Sequence, residues 1–275
     1  MSSTVSSSAR PRGGPAPGRR ALWLASTVAF LLAAMVNDTL HELAHAAAGL
    51  VLGLKPTVSP FSVQFAPEGT RDQEVLTALA GPVASLALGL VLMRLTRHRG
   101  RGVTRLFWTW LAGMGVMNFA GYLFIAPFAG VGDTGQALGL LGAPGWVFVL
   151  VCLVGAAVQL LLARHFAREV QRYARDLGEQ RALAFQAWLL GTAGLVVLTA
   201  AQVALLGPPA DVAAVVVVYS IAVGVFAPMQ FLFNRRVTAT YEGLALGRLR
   251  LPLVLAAVLA LALLAVAAVG GVQLG

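Results

Sequence analysis

The chain has 275 residues, of which 58% are hydrophobic and only 11% are charged, with a formal net charge of +9. So much apolar sequence excludes a water-soluble domain, because several runs reach the ~20 residues that cross a bilayer. The basic residues cluster between apolar runs, a membrane-topology pattern rather than a nucleic-acid surface, and the single cysteine, Cys152, excludes an internal disulfide.

Residues 1–20 are rich in Ser, Pro, Gly and Arg and predict a disordered cytoplasmic tail. Seven membrane segments follow, at about 21–54, 75–94, 104–127, 145–163, 183–206, 212–233 and 251–270. The fold class expected is therefore an all-α polytopic membrane protein. Residues 21–140 form a three-helix core and residues 141–275 a four-helix extension.

The first segment carries His41-Glu42-Leu43-Ala44-His45. On a helix, His41 and His45 lie one turn apart on one face, where both imidazoles reach one Zn²⁺. Glu42 stands beside them, where a carboxylate takes a proton from water as general base. Ionisable groups in hydrocarbon are costly and mark function. About 34 residues of helix would rise ~51 Å against ~30 Å of hydrocarbon, so the segment must tilt, protrude or break near Asn37-Asp38. Asn37 and Asp38 precede His41 by four and three residues, where one of them could hold a histidine ring N–H. The alternative for that pair is a helix break or a polar step at the interface. A signal peptide cleaved near Ala34 competes with this whole reading, against the long polar leader and the apolar sequence that continues.

After Leu54, Val58, Phe61, Val63 and Phe65 alternate in part, interrupted by prolines. This stretch reads either as a plain external loop or as a hairpin at the membrane face able to pair with an extended substrate. In the second segment, Gly81-Pro82 either kinks the helix or packs small residues between helices, and packing is the simpler reading.

Of the 20 basic residues, all but Lys55 and Arg71 fall on one side of an alternating seven-segment topology. The positive-inside rule then puts the N-terminus in the cytoplasm and the C-terminus outside. Trp23, Trp108, Trp110, Trp146 and Trp188 fall near segment ends, as an aromatic belt would. A composition rich in Ala, Gly, Leu, Val and Arg, with Lys55 the only lysine, points to GC-rich coding and the bacterial cell (inner) membrane.

Two histidines do not complete a catalytic zinc site, which usually has three protein ligands and an open position. His98 and His165 sit in Arg-rich cytoplasmic stretches. The third ligand is then a carboxylate on the side of His41: Glu68, Asp72, Glu74, Asp133 or, more weakly, Asp211. Asp133 is preferred because flanking glycines let the backbone turn and approach a metal. Glu74 is the runner-up, and a turn or helix-cap role is the alternative for Asp133.

With these residues, the sequence resembles the site-2 protease family of intramembrane zinc metallopeptidases. His41-Glu42-Leu43-Ala44-His45 matches the family's ligand helix. Ala80-Gly81-Pro82 looks like its Ala-Gly-Pro motif, and the stretch from Asn118 through Pro127 to Asp133 looks like its last motif. The resemblance covers about residues 21–140 and implies that Asp133 is the third zinc ligand. The chain departs from the family at Ser85, where Asn is usual, and at Gly132-Asp133-Thr134, where Leu-Asp-Gly is usual.

The function expected is a zinc-dependent intramembrane endopeptidase, with a transmembrane or membrane-anchored protein segment as substrate, the bilayer as surroundings and no nucleic-acid partner. Two rivals are a non-catalytic zinc-binding scaffold or degenerate protease, and a transporter. The latter would need polar residues recurring across helices, whereas Asn118, Gln159, Gln186, Gln202 and Gln230 are scattered.

Overall fold

The computed structural model describes residues 18–59, 62–95, 102–129, 132–206, 220, 222–246 and 272–274. The expected tail over residues 1–17, residues 212–219 and 221 of the sixth segment and the whole of the seventh lie outside them, and residues 222–233 of the sixth form turns and two short helical pieces. Among the described residues, five helices are long and apolar enough to cross a membrane: Arg19–Val51, Arg71–Leu95, Gly102–Phe128, Gly145–Tyr173 and Leu177–Ala201. They coincide with the first five expected segments. Their outer faces carry large apolar side chains, among them Leu150, Leu153, Val154 and Leu161, which suit lipid rather than water.

Helix α1 (Arg19–Val51) is unbroken, so neither a helix break nor a second crossing arises at Asn37-Asp38. Its buried positions Leu22, Ala25, Ala29, Ala33, Asn37, His41 and His45 recur at three- and four-residue steps, which puts one continuous face against the bundle. The preponderance of alanine on this face lets neighbouring helices approach closely. The hairpin reading of the next stretch holds: β1 (Lys55–Ser59) pairs antiparallel with β2 (Ser62–Ala66). A third strand, β3 (Val272–Gln273), pairs with the other edge of β1, giving the order β2-β1-β3. The all-helical expectation is amended by this small sheet.

Helix α2 (Arg71–Leu95) runs through Pro82 without interruption. Helix α3 (Gly102–Ala129) leads to the short α4 (Asp133–Leu140). Helix α5 (Gly145–Tyr173) extends about three turns beyond its expected end. The short α6 (Leu177–Gln180) and a π turn (Arg181–Gln186) run into α7 (Ala187–Leu206). After these comes a one-turn helix, α8 (Phe226–Met229).

One apolar core joins these elements, with Leu22, Phe30, Trp110, Phe166 and Phe226 inside it. Trp110 corrects the belt expectation. It is buried, packs on Phe30 at 5.0 Å and Phe166 at 4.8 Å between ring centres, and its indole N–H donates to Ser26 Oγ. The Ser26 hydroxyl donates in turn to the Leu183 carbonyl at 2.6 Å, tying α1, α3 and the π turn together. Trp146, by contrast, is exposed at the start of α5, as a belt residue should be. Arg105, in the first turn of α3, is also away from solvent. It is buried, with Nε donating to Tyr173 Oη at 2.7 Å and Nη2 to Glu169 Oε2 at 3.3 Å. This pairing fixes α3 against α5 at the end of the bundle where Arg19 meets Asp176.

Candidate metal centre

Two helices build the site before any third ligand arrives. His41 and His45 project from α1 toward α2, where Thr77, Gly81 and Ser85 form one stripe at four-residue spacing. The Thr77 carbonyl accepts from His45 Nδ1 at 2.6 Å, and His41 Nδ1 lies 3.2 Å from Ser85 Oγ. Both outer nitrogens are therefore engaged by α2, which turns both Nε2 atoms inward, 3.0 Å apart. Gly81 lies between the two anchors. A Cβ there would overlap His45 Nε2 and sit 2.7 Å from His41 Nε2, so the rings need the missing side chain.

Asp133 comes from the far end of the next helix. Gly132 has φ +85°, which turns the chain sharply and presents Asp133 as the first residue of α4. Its Oδ2 is 2.9 Å from His41 Nε2 and 3.3 Å from His45 Nε2. The Tyr122 ring stacks on His41, 5.5 Å between centres and 9° between planes, closing the side toward α3.

Two ring nitrogens and a carboxylate oxygen thus surround one point. A carbonyl only accepts, so His45 Nδ1 carries a proton, and in a neutral ring that leaves Nε2 bare. A single proton on His41 Nε2 could serve the carboxylate or His45, but not both together. One cation serves all three. The sides of the triangle, 2.9, 3.0 and 3.3 Å, approach the about 3.3 Å between ligands of a tetrahedral zinc ion. His41, His45 and Asp133 are the residues that could hold a metal ion. Asp133 is the most exposed of them, its side chain at 20% against 4% and 10%, so access is from its side.

No family model, curated protein or solved structure matches the chain.

The other expected residues sort clearly. Glu42 is half-buried beside His41 and interacts electrostatically with both histidines and Asp133 without belonging to the converging group. Glu74 and the exposed Asp72 lie on α2 outside that group, the exposed Glu68 precedes α2 and is also outside it, and Asp211 lies outside the described residues. His165 is exposed on α5, and His98 is not among the described residues. The expectation that Asn37 or Asp38 holds a histidine ring is corrected: Asn37 Nδ2 reaches Asp38 Oδ1 at 3.5 Å, while Thr77 and Ser85 hold the rings. Ser85, read in the sequence as a departure, is thus a ring anchor. Removing its hydroxyl frees one imidazole without touching a ligand atom. Ser85→Ala is expected to weaken zinc affinity by about 10–100-fold, measured by competition with a chromogenic chelator.

Proposed function

We propose that the chain is a zinc-dependent intramembrane endopeptidase of the site-2 protease type, cutting transmembrane or membrane-anchored protein segments. One observation carries the reading: two imidazole nitrogens and a carboxylate converge inside an apolar bundle, with a further carboxylate, Glu42, next to them. Two His and one Asp, with access on one side, suit a catalytic zinc rather than a closed structural one. A zinc ion bound there would polarise the scissile carbonyl and acidify the attacking water.

The remaining chemistry belongs to the chain. Glu42 accepts the proton of the attacking water and returns it to the leaving amine. The Thr77 carbonyl keeps the proton of His45 on Nδ1, and Thr77 and Ser85 hold the two imidazoles in orientation. A helical substrate hides its carbonyls, so it must unwind before it is cut. The β1–β2 hairpin packs against α1, with Phe65 over Gly49 one turn beyond His45. It offers backbone groups to hold an unwound segment.

The proposed topology has seven crossings with the N-terminus in the cytoplasm. It is supported by the Arg distribution and by the chain's course: Glu242 N bonds the Arg172 carbonyl at the Arg19 end, whereas Val272 pairs with the hairpin at the other.

The test is direct. Protein purified without chelators is expected to hold one zinc per chain. It should cut a synthetic Leu-Ala transmembrane peptide interrupted by a Gly-Pro pair, lose that activity to phenanthroline and regain it with added zinc. Zinc-loaded protein that leaves this and other helix-interrupted peptides intact would defeat the protease reading, and protein without metal would defeat the site itself.

A further inference from the structure

We infer that residues 272–274 are the resident occupant of a peptide-docking edge on β1, so that an extended substrate must displace the chain's own strand to reach the site. The inference rests on the endopeptidase reading and names the regulation of that site. Its physical basis is a mismatch between what β1 is by sequence and where it lies in the sheet.

A two-residue connection joins Ser59 to its partner Ser62, and the pairing runs back to Lys55 opposite Ala66. Alternation along an antiparallel ladder then gives Lys55, Thr57 and Ser59 to β2, and turns the backbone groups of Pro56 and Val58 to the opposite edge. The Leu274 N–H donates to the Pro56 carbonyl at 3.0 Å, as that alternation requires. Proline has no N–H to return, so at this pair only one of two ladder bonds exists. Proline belongs on edge strands and is out of place on the joined side of a central one. By its residues, β1 exposes an edge on the side of Pro56. In the structure β3 covers that edge.

The cover is imperfect, because the pair at Pro56 lacks one of its two bonds. Among the described residues, β1 pairs with β2 through five residue pairs and with β3 through two, Thr57 with Gln273 and Val58 with Val272. A strand held with a bond missing stays in place while nothing competes and yields to a segment that brings more backbone bonds of its own. It also displays what the edge accepts: an extended backbone with no charged side chain at the three positions Val272, Gln273 and Leu274. An unwound stretch of an apolar membrane segment has this character. The edge lies at the end of α1 nearer the ligand pair, since only three residues separate the end of α1 from the start of β1.

The test fixes the occupant in place. In a Cys152→Ser background, Thr57→Cys and Gln273→Cys put thiols at directly opposed positions on this edge, within cross-strand disulfide reach. The full chain, zinc-loaded, is assayed oxidised and then reduced, with the Leu-Ala peptide interrupted by Gly-Pro and carrying a benzophenone beside that pair. Oxidation is expected to slow cleavage and peptide crosslinking by at least about tenfold, and reduction to restore both, as for a competent state held at low population. Leu274→Pro, which removes the N–H donor, is expected to raise crosslinking above the unmodified chain. Failure of the two thiols to join, or equal crosslinking by oxidised and reduced protein, overturns the proposal. Crosslinking that opens on reduction without cleavage in any form would keep the docking edge and defeat the endopeptidase reading instead.

Discussion

Glu42→Gln is expected to keep its zinc and to lose about 10²–10⁴-fold in cleavage of the interrupted transmembrane peptide. The two halves of this outcome have different origins. Metal retention follows from the ligand set, because the atoms that converge belong to His41, His45 and Asp133. Loss of rate follows from chemistry, because a carboxamide of the same shape cannot take a proton from water. Metal content by mass spectrometry and cleavage by peptide fragmentation read the two halves on one preparation. Zinc lost with the substitution would make Glu42 a ligand. Cleavage retained at the wild-type rate would remove it from the reaction and leave the non-catalytic scaffold as the better account.

The pair His41 and His45 was legible because a helix has only one way to bring residues four apart together. Asp133 was legible because an acidic residue between glycines stands out in an apolar chain. The histidine anchors were harder to read. Thr77 contributes a backbone carbonyl, which leaves no mark in the side-chain alphabet, and Ser85 contributes one hydroxyl among many. Their signal was spacing: Thr77, Gly81 and Ser85 repeat the four-residue interval of the histidines they face. Asn37 and Asp38 also lay near the face of His41. Position along one helix, however, does not say which neighbouring helix supplies the ring partners.

Apolar length locates the five described spans but not their ends, for a physical reason. Hydropathy falls where charge begins, yet α5 continues past residue 163 with Arg164 and Arg168 outward and Phe166, Val170 and Tyr173 inward. An amphipathic pattern carries the helix out of hydrocarbon once neighbours cover one side. Arg105 and Trp110 are buried, although both residue types favour an interface when alone. Here each finds a buried partner, Glu169 and Tyr173 for the guanidinium and Ser26 for the indole. The described part of β3, Val272–Gln273, is too short to show any periodicity.

Gly81→Ala is expected to remove stoichiometric zinc while leaving the bundle folded, and it separates site geometry from stability more sharply than a ligand substitution does. Within a helix, alanine is favoured over glycine by about 1 kcal/mol, so α2 itself gains from the change. The new methyl group, however, overlaps His45 Nε2 and lies 2.7 Å from both Cε1 and Nε2 of His41. Neither ring can simply retreat. His45 is held at Nδ1 by Thr77, and His41 lies between Ser85 and the stacked Tyr122. Moving the helices apart would forfeit packing, a cost of about 1–3 kcal/mol for a single inserted methyl group. The cheaper response is to swing the imidazoles off their shared point, which dissolves the convergence that holds the cation. Less than about a tenth of wild-type zinc is expected, with helical content by circular dichroism unchanged. Full zinc in this variant would mean that α1 and α2 do not meet at Gly81, and the site derived from that contact would fall with it.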